Sequence, residues 1–130
     1  KAIRRQRQMC IRDSTYLTQS SIIESLAKRG PCIIVGRCAD YVLRQNSGCL
    51  NIFISASMED RVKRIMDRYN LTEKEAATAI KRTDRRRKNY YETYTDQNWG
   101  STDSHQLLIN VSKLGMERTL GLIEYLYKQP

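Results

Sequence analysis

Histidine, paired cysteines and long apolar runs are scarce or missing in this 130-residue chain. It has one histidine, His105, and four cysteines, Cys10, Cys32, Cys38 and Cys49, with no Cys-x-x-Cys pair among them. That set does not supply the ligand spacing of a structural zinc site. It leaves reduced thiols, and with them a cytoplasmic location, as the expectation. No apolar run approaches the roughly 20 residues that a membrane-spanning helix needs, so no membrane partner is expected. The start, Lys1-Ala2-Ile3-Arg4-Arg5, is basic but lacks the apolar segment of a signal peptide. No Gly is followed by Lys, so the phosphate-cradling loop G-x-x-x-x-G-K-[ST] does not occur in these residues. Acid is in deficit too: 14 Asp and Glu stand against 23 Lys and Arg, a formal net charge of +9. The surplus points to anionic partners such as nucleotides or nucleic acid.

The surplus is concentrated. From Lys81 to Lys88 six of eight side chains are cationic, with Asp84 in their midst. Neither Pro nor Gly interrupts the stretch from Ile80 to Trp99, so a helix carries it. At helical spacing Arg87, Tyr91 and Tyr94 share one side, with Tyr90 adjacent. Asp84 is spaced to pair with Arg87 or Lys88, or to touch a ligand. Six like charges on two turns repel one another, a cost that an anion relieves, and the guanidinium fork suits phosphate oxygens. Three readings follow: a solvated basic face, a clamp on a phosphorylated small ligand, or a basic nucleic-acid-binding module. In the last, Tyr90, Tyr91, Tyr94 and Trp99 serve as stacking platforms.

The remaining pattern alternates helices with strands. Ile22, Ile23 and Leu26 form an apolar stripe on a helix that stops at Gly30-Pro31. Cys32-Ile33-Ile34-Val35 reads as a strand buried on both faces, and Cys32, Cys38 and Cys49 as small core fillers. A short helix over Arg37–Arg44 and a second strand over Leu50–Ser55 follow. Ser57 caps a helix with Asp60 three residues on, burying Val62, Ile65, Met66 and Tyr69. Thr72 with Glu75 opens the next helix, whose apolar face is Ala76, Ala77 and Ile80. Leu107–Val111 is the third strand, and Gly115 opens a last helix with Met116, Leu120, Ile123 and Tyr127 inward. The order predicts a parallel three-stranded sheet covered by helices on both faces. Order is expected to begin near Thr15. Met9-Cys10-Ile11-Arg12-Asp13-Ser14 resembles translated sequencing-adapter sequence, so residues 1–14 are left unassigned as a suspected artefact, with no functional residue placed there.

In such sheets ligands bind beyond the carboxyl ends of the strands. Three candidates lie there: Gly36-Arg37-Cys38-Ala39-Asp40, the basic helix, and the turn Asn110-Val111-Ser112-Lys113-Leu114-Gly115. Arg37 offers a donor fork and Asp40 an acceptor within one helical turn.

Gly30-Pro-Cys-Ile-Ile-Val-Gly-Arg-Cys-Ala-Asp-Tyr41 and Phe53-Ile-Ser-Ala-Ser-Met-Glu-Asp-Arg61 resemble the cytidylate kinase-like family of P-loop nucleoside monophosphate kinases. The resemblance continues through Asp84-x-x-Arg87-x-x-Tyr90-Tyr91-x-x-Tyr94-Thr95, Trp99-Gly100 and Ser112-Lys113-Leu114-Gly115, and spans about Gln19 to Tyr127. It implies a three-layer α/β/α P-loop kinase-like core with a parallel sheet, and one kinase-like domain over residues 15–130. It also implies a helical lid over about residues 72–98. Its activity would be phosphoryl transfer from ATP to CMP or dCMP with Mg²⁺. On this resemblance Arg86, Arg87 and Arg82 are the catalytic candidates. Arg37, Asp40, Asp84, Arg85, Lys88 and Tyr91 are substrate-binding candidates, while Ser112, Lys113 and Leu114 lie near the adenine. The donor-phosphate loop of the family is expected upstream of Thr15, so the residues in hand are expected to be an N-terminally truncated portion that is inactive alone.

Overall fold

Local signals place most of the elements. The computed structural model describes residues 2–129, with side chains from residue 13 onward. The first helix, α1 (Ala2–Arg29), meets no Gly or Pro before Gly30-Pro31 and is continuous from Ala2 rather than from Thr15. Of its apolar stripe only Ile23 reaches the core, while Ile22 and Leu26 are exposed. There follow α2 (Ala39–Val42), strand β1 (Ile52–Ser55), α3 (Met58–Tyr69), α4 (Glu73–Tyr94), strand β2 (Leu107–Asn110), α5 (Val111–Leu114) and α6 (Met116–Tyr127).

The caps form as the spacing demands. The Asp60 N–H donates to Ser57 Oγ at 3.2 Å to open α3. At α4 the Glu75 N–H donates to Thr72 Oγ1 at 3.2 Å, and the Thr72 N–H returns to Glu75 Oε1 at 3.1 Å. That backbone bond, with the threonine side chain, holds the Glu75 carboxyl below its usual range. Helix α3 packs along the first half of α4, where Ala76 and Ile80 are buried. Val62, Ile65 and Met66 are half-buried, but Tyr69 is 58 % exposed at the end of the helix.

The sheet is smaller than the sequence implies. Strands β1 and β2 pair in parallel, Ile52 opposite Leu107 through Ser55 opposite Asn110. No third strand is present among the described residues. Cys32–Val35 carries no regular structure, with Ile33 72 % and Val35 87 % exposed. A parallel strand is held by its neighbours' hydrogen bonds, and nothing lies beside this one, so its β-branched propensity goes unused. Cys32 is consequently exposed, Cys49 half-buried and Cys38 alone a core residue. In place of a three-layer core the structure shows a helix-rich α/β fold around a two-stranded parallel sheet.

Helix α6 is also rotated from expectation. Thr119 is its buried residue, its hydroxyl donating to the Gly115 carbonyl at 2.8 Å, while Met116, Leu120 and Tyr127 are exposed. The solvent-accessible surface totals 10688 Å², against roughly 7,100 Å² for a compact monomer of this mass. The core is thin, and it is gathered where α1, α2, α4 and β2 bring Ile23, Cys38, Ala39, Tyr91 and Ile109 inward.

Candidate active site

The turn that leads into α2 is built on three successive left-handed residues, Gly36 (φ 71°), Arg37 (φ 59°) and Cys38 (φ 57°). Gly36 adopts this region freely, whereas Arg37 and Cys38 each hold it at a cost of about 1 kcal/mol. Strain of this kind is kept where the surroundings enforce it, often at functional sites. Here burial of Cys38 enforces it, and the same burial pushes the thiol up to about 11, with the Asp40 charge adding to it. Arg37 is left exposed and Asp40 is turned inward.

Asp40 meets α4. The Tyr91 hydroxyl donates to Asp40 Oδ2 at 2.6 Å and lies 2.8 Å from Oε1 of the Gln97 side chain. Tyr91 is 7 % exposed, and burial, then the bond to Asp40, pushes its phenol up to about 12. His105 Nε2 stands 3.9 Å from the same carboxylate oxygen. Tyr91 was expected to bind substrate; in the structure its hydroxyl is engaged by Asp40 and Gln97. Gln97, Ser104 and His105 were not expected in the site. They sit in a polar loop whose spacing carries no motif, and only the rarity of histidine marks His105.

Helix α4 divides the basic block by face. Arg87 lies one turn before Tyr91 and one turn after Thr83 and Asp84, on the side that carries Ile80. Arg82, Arg85 and Arg86 point away from it, and Lys88 lies to one flank. Burial raises the Tyr90 phenol, and the Arg37 charge offsets part of that rise. Among the described residues none of Lys81, Arg82, Arg85, Arg86, Arg87 and Lys88 has an ion partner. The one acid among them is taken elsewhere. Arg61 of α3 grips Asp84 in a two-pronged pair, Nη1 to Oδ2 at 2.9 Å and Nη2 to Oδ1 at 2.6 Å. Asp84 therefore ties α4 to α3 and does not orient Arg87 or Lys88.

The aromatics are committed to packing. Tyr94 stacks on Tyr16 with ring centroids 4.4 Å apart, and Tyr90 tilts against Tyr94 at 4.9 Å. Trp99 meets Phe53 edge-on at 5.4 Å. Gly100 (φ 76°) passes so close that a Cβ there would stand 3.1 Å from the Phe53 ring. No tyrosine remains on the outward cationic face of α4 to stack a base.

At the third candidate turn the Ser57 N–H donates to Ser112 Oγ at 2.8 Å, so that hydroxyl joins α5 to the start of α3. Lys113 and Leu114 are exposed. Among the described residues no cluster of three or more His, Cys, Asp or Glu is arranged to hold a metal ion. No Gly-Lys step occurs in the sequence. A shallow depression lined by Asp60, Lys63, Arg64, Asp67 and Arg68 is the flank of α3 and includes none of the expected site residues.

A helix-rich α/β fold with an unneutralised basic helix beside an Arg–Asp turn is consistent with a protein that handles phosphorylated ligands. The chain belongs to the cytidylate kinase-like family, whose profile matches residues 1–113. The match takes in the first fourteen residues. No curated protein matches the chain. Among solved structures it is similar to an uncharacterized protein from Eubacterium ventriosum ATCC 27560, at 26 % identity and a TM-score of 0.77. The similarity covers 88 % of this chain and 65 % of that one, so the chain spans about two thirds of its relative's length. The relationship is kinase-like at the level of the family.

Proposed function

We propose that this chain carries the acceptor-binding and lid elements of a phosphotransferase that moves a phosphoryl group from ATP to CMP or dCMP. The observation that supports the reading is the bond from Tyr91 to Asp40, which joins α4, one turn beyond Arg87, to the Arg37–Asp40 turn. In this reading Arg37 pairs with the acceptor phosphate and Asp40 accepts a hydrogen bond from the nucleoside. Arg87 leads the cations that neutralise charge on the transferring group. Arg82 and Arg86 stand second because they face away, and Arg85 and Lys88 supply background potential. Phosphoryl transfer asks little covalent chemistry of a protein and much positioning and charge neutralisation, which closing arginines provide while they exclude water. Lys113 and Leu114 are assigned to the adenine side of the donor. ATP and its Mg²⁺ would bring the phosphoryl group and its neutralising charge.

An ADP-release assay with CMP, dCMP, UMP and AMP tests the reading on these 130 residues and on the longer Eubacterium relative. The relative should turn over CMP or dCMP in preference to AMP. The 130 residues should release no ADP above background, since the β- and γ-phosphates lack their cradle. Robust turnover by the 130 residues would refute that argument. A relative inert with all four nucleotides, and single-stranded RNA binding with a steep salt dependence, would favour a nucleic-acid module instead.

A further inference from the structure

The carboxylate of Asp40 is met from two directions that its own helix does not supply. Tyr91 comes from α4 and takes Oδ2 at 2.6 Å. His105, in the loop before β2, stands 3.9 Å from the same oxygen with both side chains largely buried, at 9 % and 15 % exposure. The imidazole is not there by accident of packing alone. Its Nδ1 lies 2.9 Å from Ser104 Oγ and 3.1 Å from the Ser101 carbonyl. Its ring is fixed edge-on to Phe53 at 5.3 Å. These contacts use one ring nitrogen and aim the other at Asp40. Among the described residues no hydrogen bond reaches Asp40 Oδ1.

We propose that His105 and Tyr91 are positioning residues for Asp40. They commit Oδ2, fix the plane of the carboxylate, and leave Oδ1 free to accept a hydrogen bond from an N–H or O–H group of the acceptor nucleotide. The proposal rests on the functional reading above for the identity of that ligand. A carboxylate held by the Tyr91 hydroxyl and hemmed in by the imidazole at 3.9 Å loses less rotational freedom on binding, so its bond to the ligand is worth more. The arrangement also couples the Arg37–Asp40 turn to the C-terminal end of α4 and to the strand β2 side of the molecule. A ligand seated on Asp40 therefore bears on the helix that carries Arg87.

The variants separate positioning from packing. His105→Gln keeps a donor near the place of Nε2 but loses the ring against Phe53. His105→Phe keeps the ring and loses the donor. Tyr91→Phe removes only the hydroxyl. CMP affinity, measured by calorimetry, should fall about tenfold in His105→Phe and Tyr91→Phe and stay near the parent in His105→Gln. A merely structural ring would give the reverse order, and that result, or equal loss in both His105 variants, overturns the proposal. A second readout needs no ligand. His105 is the only histidine, so its ring proton signals in NMR are unambiguous, and Asp40→Asn should displace them. Signals indifferent to Asp40→Asn overturn the positioning contact. A parent chain that binds no monophosphate, while those signals do respond, overturns the functional reading and supports the contact.

Discussion

At the scale of single residues, environment rather than identity separates the side chains of one type. Arg87 and Arg82 are both exposed and differ in which side of α4 they leave: Arg87 shares the side of Tyr91, whose hydroxyl meets Asp40, and Arg82 does not. The cysteines divide in the same way. Burial moves the Cys38 thiol from 9.0 to about 11, which leaves roughly a hundredfold less thiolate at neutral pH. Cys32 is exposed on the unpaired segment. Iodoacetamide at neutral pH should therefore alkylate Cys32 well before Cys38, as read by peptide mass spectrometry. Cys38 should become reactive only as the pH approaches its raised value or as the chain unfolds. Equal labelling of the two at neutral pH would contradict the buried turn.

At the scale of elements, α4 is the part that the rest serves. Its start is fixed by Thr72 and Glu75, and its middle is held to α3 by the Arg61–Asp84 pair. Asp84→Asn keeps the shape, halves the pair and removes the only acid among six cations. It should cost about 1 kcal/mol in chemical denaturation at low salt, with a smaller loss at high salt. An unchanged midpoint would mean that the pair adds nothing. The caps of α3 and α4 and the strands around Ile54 and Ile109 were legible because each is set by a few neighbouring residues. The site was only half legible. Spacing marked Arg37, Asp40 and the basic run, but Tyr91 is 51 residues from Asp40, and no local pattern announces that bond. Arg61 as the partner of Asp84 was missed for the same reason, since sequence spacing offered Arg87 and Lys88 first. Cys32–Val35 failed in the opposite way. Its residues suit a buried strand, but propensity supplies no neighbour to pair with.

At the scale of the whole molecule, much apolar surface remains uncovered. Ile33, Val35, Ile54, Leu108 and Leu120 are all exposed, and both strands of the sheet are edges. An anilinonaphthalene sulfonate dye should fluoresce strongly with the folded chain, and a dark mixture would mean that this surface is covered in solution. The proposed site joins Arg37, Asp40 and the Tyr91 side of α4 around a pyrimidine nucleoside monophosphate. It is tested most directly by calorimetric titration of the chain with CMP, beside Arg37→Ala, Asp40→Asn, Arg87→Ala and Arg82→Ala. The account predicts saturable binding that weakens about tenfold or more in the first three variants. Arg82→Ala should change it by no more than about twofold. No binding by the parent chain, or an Arg82→Ala loss as large as that of Arg37→Ala, would contradict it.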